Sequence, residues 1–302
     1  MSHKTTIAET IKQGKILISD GAWGTLLQQK GLKAGECPEL WCVDNPADVK
    51  EIAANFLKAG ADMVQTNSFG GSSFKLAHYG LAHRVSEINE AAARLSHSAI
   101  KDIYGDCDDK WVIASIGPTG EIILPGDEID EIFAAFKEQA IALERGGADA
   151  ACIETMSSLD EAAAAIQAVR DNTELEIICT FTFEKTTRGD YRTMMGLSPE
   201  DAVLGAISAG ADIIGANCGN GIERMIEVVA AIREVNSVVP ILVHSNAGLP
   251  QNIDGVTVFP ETPEDTAKFV ADLIKVGANI IGGCCGMTAA HISAIAKEAK
   301  KR

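Results

Sequence analysis

The sequence has few basic residues and no long run of them: Lys and Arg number 26 against 42 Asp and Glu, for a formal net charge of −16. A nucleic-acid surface needs a basic footprint, and a polybasic membrane contact needs one too, so both are disfavoured. No stretch approaches the roughly 20 apolar residues that a membrane-spanning helix requires. The first fifteen residues, Met1 to Lys15, are polar and charged, with nothing like the apolar run of a secretory signal. The expected location is therefore cytoplasmic. A phosphate-binding P-loop and a serine nucleophile elbow are missing. No Lys falls at an inward strand position, which argues against Schiff-base chemistry. There is no proline-rich or low-complexity linker, so nothing divides the 302 residues into separate domains.

What the chain does have is a recurring phrase. A helical stretch ends in Gly-Ala-Asp or Gly-Ala-Asn, and a short apolar run follows, at residues 60–62, 147–149, 210–212 and 277–279. Glycine suits the left-handed position that ends a helix, and each apolar run reads as a strand buried on both faces. The intervals leave room for one further strand and helix each. Residues 15–20, 111–115, 175–181 and 240–244 supply those strands, and helices are expected over 46–59, 85–100, 127–145 and 222–235. Eight strands alternating with helices predict a single-domain (β/α)8 TIM barrel across the chain, with an open doubly wound sheet as the alternative.

In this barrel, active sites lie at the carboxyl ends of the strands. Those ends carry Asp20, Asn67, Gly117, Glu154, Thr182, Cys218, Asn246 and the loop 282–286. Of eight cysteines, Cys152 and Cys179 fall inside strands and read as small buried hydrophobes. Cys37, Cys42 and Cys107 lie in loops with no partner pattern. Cys218 ends strand six, whereas Cys284 and Cys285 end strand eight, one neighbour away. Three convergent thiolates bind Zn2+ tetrahedrally with a fourth position left over, and soft sulfur selects zinc over magnesium or calcium. An open site of this kind removes the proton from a bound thiol and leaves a nucleophilic sulfur, for which an electrophilic methyl group is a natural partner. His244, at the end of strand seven, leaves a closed four-ligand zinc site open as the alternative. His291 lies too far along the last helix.

Asp20 and Glu154 place two carboxylates at the mouth, able to orient an ammonium group; helix capping or a rim ion pair is the competing reading. Asn217 and Asn246 can bond either a ligand or loop backbone. The turn at 116–120 offers backbone N–H groups to a carboxylate or is a simple turn.

These residues carry a resemblance. DGAWGT at Asp20, TNSFGG at Thr66, IGPTGE at Ile116, IETMSSLDEA at Ile153, GANCG at Gly215 and GGCCG at Gly282 resemble the homocysteine S-methyltransferase family. The likeness extends over roughly Ile16 to Ile295, and the last two motifs together are the most specific. It implies a TIM barrel in which Cys218, Cys284 and Cys285 are zinc ligands and catalytic, with Asp20 and Glu154 near the bound amino acid. Trp23, Met287, Ala289 and the pair His244-Ser245 depart from residues common in the family, and none removes a zinc ligand. The resemblance implies transfer of a methyl group to homocysteine, giving methionine, with either a small methyl donor or a separate corrinoid protein as partner. The alternative is corrinoid-dependent demethylation of a small thioether or methylated amine, and a non-catalytic barrel with structural zinc is a third reading.

Overall fold

The fourfold Gly-Ala-Asp/Asn phrase stitches the barrel together. The computed structural model describes residues 4–123, 129–253 and 256–301. Gly60, Gly147, Gly210 and Gly277 adopt φ of 109°, 98°, 110° and 112°, the left-handed conformation that stops each helix. The following Asp or Asn then pairs in both directions with the start of the preceding strand. Asp62 N–H donates to the Ile18 carbonyl at 2.7 Å, while Ile18 N–H donates to Asp62 Oδ2 at 2.9 Å. The same double bond joins Asp149 to Val112, Asp212 to Ile177, and Asn279 to Ile241. A short side chain carrying an acceptor is required at that position, which explains why Asp stands at three of the four and Asn at the fourth.

The barrel strands are β1 (Leu17–Ile18), β2 (Met63–Gln65), β3 (Trp111–Ile116) and β4 (Ala150–Met156). They continue as β5 (Glu176–Phe181), β6 (Ile213–Gly221), β7 (Ile241–Asn246) and β8 (Ile280–Gly283). All ladders are parallel, in the order β1-β8-β7-β6-β5-β4-β3-β2. The remaining β1–β2 seam is bridged by the Asp62–Ile18 pair and by Gln65 N–H on Asp20 Oδ2 at 2.7 Å. Closure at that seam excludes the open doubly wound sheet and gives a (β/α)8 barrel.

The expected helices appear as Pro46–Ala59, Val85–Tyr104, Asp130–Arg145 and Ile222–Val235. Residues 127 and 128 of the third expected helix lie outside the described residues. The other outer helices are Leu159–Asn172, Pro199–Ala209, Pro263–Lys275 and Ala289–Ala299. Among the described residues, no helix is long and apolar enough to cross a membrane.

The barrel interior is layered. Its lower part is apolar, with Leu17, Ile113, Cys152, Ile178, Leu242 and Ile280 in one cluster. A helix over Ile7–Lys12, which the polar N-terminal sequence did not announce, adds Ile7 and Ile11 to this cluster. Its first N–H groups are taken by Glu176, from Ile7 at 2.7 Å and Ala8 at 2.8 Å. Cys152 and Cys179 are fully buried, as small hydrophobes are. Nearer the carboxyl ends the strands carry Ser19, Gln65, Ser115, Glu154, Thr180, Asn217 and His244, all buried. A buried polar layer is costly unless its groups are bonded, and it marks where structure gives way to chemistry.

Candidate metal and substrate site

The sequence places Cys218 on a nine-residue strand rich in glycine, and the backbone uses that freedom. Cys218 has φ 60° and is followed by Gly219 at 70°, a turn that aims the thiol across the mouth. A side chain at Gly219 would meet the Phe183 carbonyl at 2.8 Å. Beyond β8 the loop is strapped down on two sides. Cys284 N–H donates to the Ser245 carbonyl at 2.6 Å, and Cys285 N–H donates to Asn246 Oδ1 at 3.1 Å. Gly283 N–H donates to the Asp20 carbonyl at 2.7 Å, and Ala22 N–H to the Met287 carbonyl at 3.0 Å. Met287 is fully buried between these loops, a packing role for one of the residues that departs from the family pattern.

The result brings the three predicted sulfurs together. Cys218, Cys284 and Cys285 Sγ lie within 4.8 Å of one another, with 3.9 Å between the last two. Sulfurs on a tetrahedron around zinc at about 2.3 Å stand roughly 3.8 Å apart, so the spacing suits the ion. All three cysteines are free of disulfides. Hydrogen bonds from the Cys284 and Cys285 thiols hold the Cys218 thiol far below its ordinary range, with Asn246 contributing in the same direction. The Cys218 anion in turn pushes Cys284 and Cys285 upward. A divalent cation bound among the sulfurs would favour ionisation of all three.

Among the described residues, no His joins the three thiols. His244 is inside the barrel, with Cδ2 at 2.9 Å from where a side chain on Gly282 would start. Its Nε2 has no hydrogen-bond partner, and burial pushes its pKa down to about 3, so the ring is neutral. His291 caps its own helix: Nδ1 pairs with Thr288, and Nε2 lies 3.0 Å from the Glu261 carbonyl.

The sulfurs form one wall of a cavity of about 290 Å³ at the barrel mouth, the size of a small-molecule site. The other walls include Trp23, Glu39, Gln65, Asn67, Phe69, Ser115, Glu154 and Thr155, and among the described residues no Lys, Arg or His lines it. Glu154 is 6% exposed, and its Oε1 accepts from Gln65 Nε2 at 2.8 Å and from the Ser115 hydroxyl. Burial raises its pKa to about 7, with the charges on Asp20 and Cys218 adding to the rise.

The other residues singled out in the sequence are placed differently. Asp20 is fully buried and outside the cavity lining; its Oδ2 accepts from Gln65 N–H at 2.7 Å and Trp23 Nε1–H at 2.8 Å. Burial also raises the Asp20 pKa to about 7. Asn217 turns to Thr155 and Thr180, and Asn246 to the Cys285 backbone. The turn at 116–120 is tied to Glu161, which accepts from Thr119 N–H at 2.7 Å and its hydroxyl at 2.6 Å. Gln65, Ser115 and Thr155 escaped the sequence reading. Their only signal was a polar residue at an inward strand position, which looks like any strand-end residue until the barrel closes.

A closed parallel barrel with three thiols converging at the carboxyl ends of β6 and β8 defines a (β/α)8 barrel with a thiol cluster at its mouth that could hold a metal ion. The profile of the family described as "Homocysteine S-methyltransferase" matches residues 17–299, and the chain belongs to that family. Among curated proteins it is 29% identical to the methionine synthase of Mycobacterium tuberculosis over 97% of its own length. The same figures hold for the methionine synthase of Mycobacterium leprae. The chain spans a quarter of the length of each of these relatives. Among solved structures it is similar to the homocysteine methyltransferase MmuM of Escherichia coli. The metallated form of MmuM gives a TM-score of 0.78 at 22% identity, covering 95% of this chain and 98% of that one, and supports the fold.

Proposed function

We propose that this chain transfers a methyl group to the thiol of homocysteine, giving methionine, at a zinc ion held by Cys218, Cys284 and Cys285. The observation that carries the reading is the meeting of three thiols and the Glu154 carboxylate in the wall of one cavity. Zinc bound by three thiolates would deprotonate the substrate thiol while keeping its sulfur nucleophilic. Glu154 accepts the substrate ammonium, and Gln65 and Ser115 fix the carboxyl through Oε1. Asp20 holds the first loop and the seam, and its charge acts on Glu154 through the buried layer. Asn246 carries the Cys285 backbone. The cavity walls orient the sulfur toward a donor entering from the mouth, where proximity supplies much of the rate. That donor is either a small methylated compound or a separate corrinoid protein, and a soluble cytoplasmic enzyme is the setting in which reduced cysteines persist.

The test is methyl acceptance by homocysteine with S-methylmethionine, betaine and methylcobalamin as donors, read as methionine by mass spectrometry. Methionine formed with at least one donor is the expected result. Zinc-loaded protein that forms none with any donor would overturn the reading.

A further inference from the structure

Among the described residues, Thr155 and Cys218 are the two with positive φ that are not glycine, at 63° and 60°. Both sit where a strand loses its register: β4 shifts between Ile153 and Met156, and β6 between Asn217 and Gly221. Bulges at strand ends re-aim side chains. A β-branched residue in the left-handed region is strained and persists only where its surroundings impose it.

Asn217, fully buried, is what imposes it. Its Oδ1 accepts from Thr155 N–H at 2.8 Å and from the Thr180 hydroxyl at 2.7 Å. Its Nδ2 donates to Thr155 Oγ1 at 2.7 Å, and the Thr182 hydroxyl donates to its carbonyl at 2.9 Å. One amide therefore ties β4, β5 and β6 together, and the next residue in the chain is Cys218.

We infer that Thr155 and Asn217 form a latch between two bulges that sets the direction of the Cys218 thiol, making Thr155 a positioning residue for the metal. This rests on the metal assignment above. Neither side chain belongs to the sulfur cluster. Loss of the Thr155 hydroxyl leaves the Asn217 Nδ2–H buried without its acceptor, a state proteins avoid by moving the group. Rotation of that amide releases the turn at Cys218, and the sulfurs leave the spacing that zinc needs. Outer partners of metal ligands act in this way.

Three variants, with zinc affinity measured by chelator competition and apoprotein stability by thermal melting, test the latch. Thr155→Val keeps the branched shape and loses the hydroxyl, so zinc binding weakens about 10- to 100-fold. Thr155→Ser restores the bond and stays within about threefold of the parent. Thr155→Gly relieves the backbone cost yet lacks the oxygen, so it folds at least as well as the valine variant while binding zinc as weakly. Valine and glycine variants that bind zinc like the parent would overturn the latch, even if their melting points moved. A parent protein that fails to bind zinc contradicts the metal assignment, and this inference with it.

Discussion

Cys284→Ala eliminates methyl transfer and strips the site of zinc while leaving the barrel folded. The thiol stands at the mouth, outside the four hydrophobic clusters, and its loop is held by backbone bonds to Ser245 and Met287 that alanine retains. Removing the side chain should therefore change apoprotein stability by about 1 kcal/mol or less. Zinc affinity should fall by more than the roughly 100-fold that loss of an outer partner costs, because a direct ligand has gone. The comparison is between parent and variant apoproteins in thermal melting, with bound zinc measured after dialysis. An unfolded Cys284→Ala apoprotein beside a folded parent apoprotein would make the cysteine structural and contradict this account.

Glu154→Gln lowers kcat/KM for homocysteine roughly 100-fold, chiefly through KM. A bond between a buried carboxylate and an ammonium contributes about 1.5–3 kcal/mol, and glutamine keeps the shape, including an acceptor for Gln65 and Ser115. The pH dependence has a definite sign. In the free protein Glu154 titrates near 7 because burial favours its neutral form. An incoming ammonium favours the charged form, so below pH 7 the ligand must displace a proton. The parent's kcat/KM should accordingly rise with pH through about 7, tenfold per unit on the acid side. The thiol's own ionisation adds to any rise but is common to both proteins, so the ratio of parent to Glu154→Gln isolates the carboxyl. A ratio that is flat between pH 6 and 8, or a variant with the parental KM, removes Glu154 from substrate binding.

Much of the fold was legible because one physical requirement repeats. Each helix must stop and each inner strand must start in register, and Gly-Ala-Asp/Asn does both at residues 60–62, 147–149, 210–212 and 277–279. The reciprocal side-chain bond behind the Asp was not legible, since its partner lies 35 to 44 residues earlier for all four pairs. The six-residue helix at Ile7–Lys12 and the strand pairs Glu184–Lys185 with Tyr191–Arg192 and Gln251–Ile253 with Val256–Val258 were missed because such short elements leave no periodicity.

The cysteine cluster could be read from strand order and the flanking glycines: side chains at the ends of β6 and β8, one neighbour apart in a closed barrel, can converge. Direction could not. Strand-end position left Asp20 between a ligand and a cap or ion pair, and Asn217 and Asn246 between a ligand and loop backbone; Asp20 bonds across the seam, and the two asparagines bond the Thr155 and Cys285 backbone. The Thr155 conformation was not legible, because nothing in Ile153-Glu154-Thr155 distinguishes a left-handed threonine from an ordinary strand end.

The central claim is that three cysteines hold zinc and leave its fourth position to the substrate's sulfur. X-ray absorption at the zinc edge, with and without homocysteine, tests it most directly. The account predicts three protein sulfurs at about 2.3 Å and a fourth sulfur at that distance once homocysteine is added. Four protein ligands in the free enzyme, unchanged by homocysteine, would contradict it.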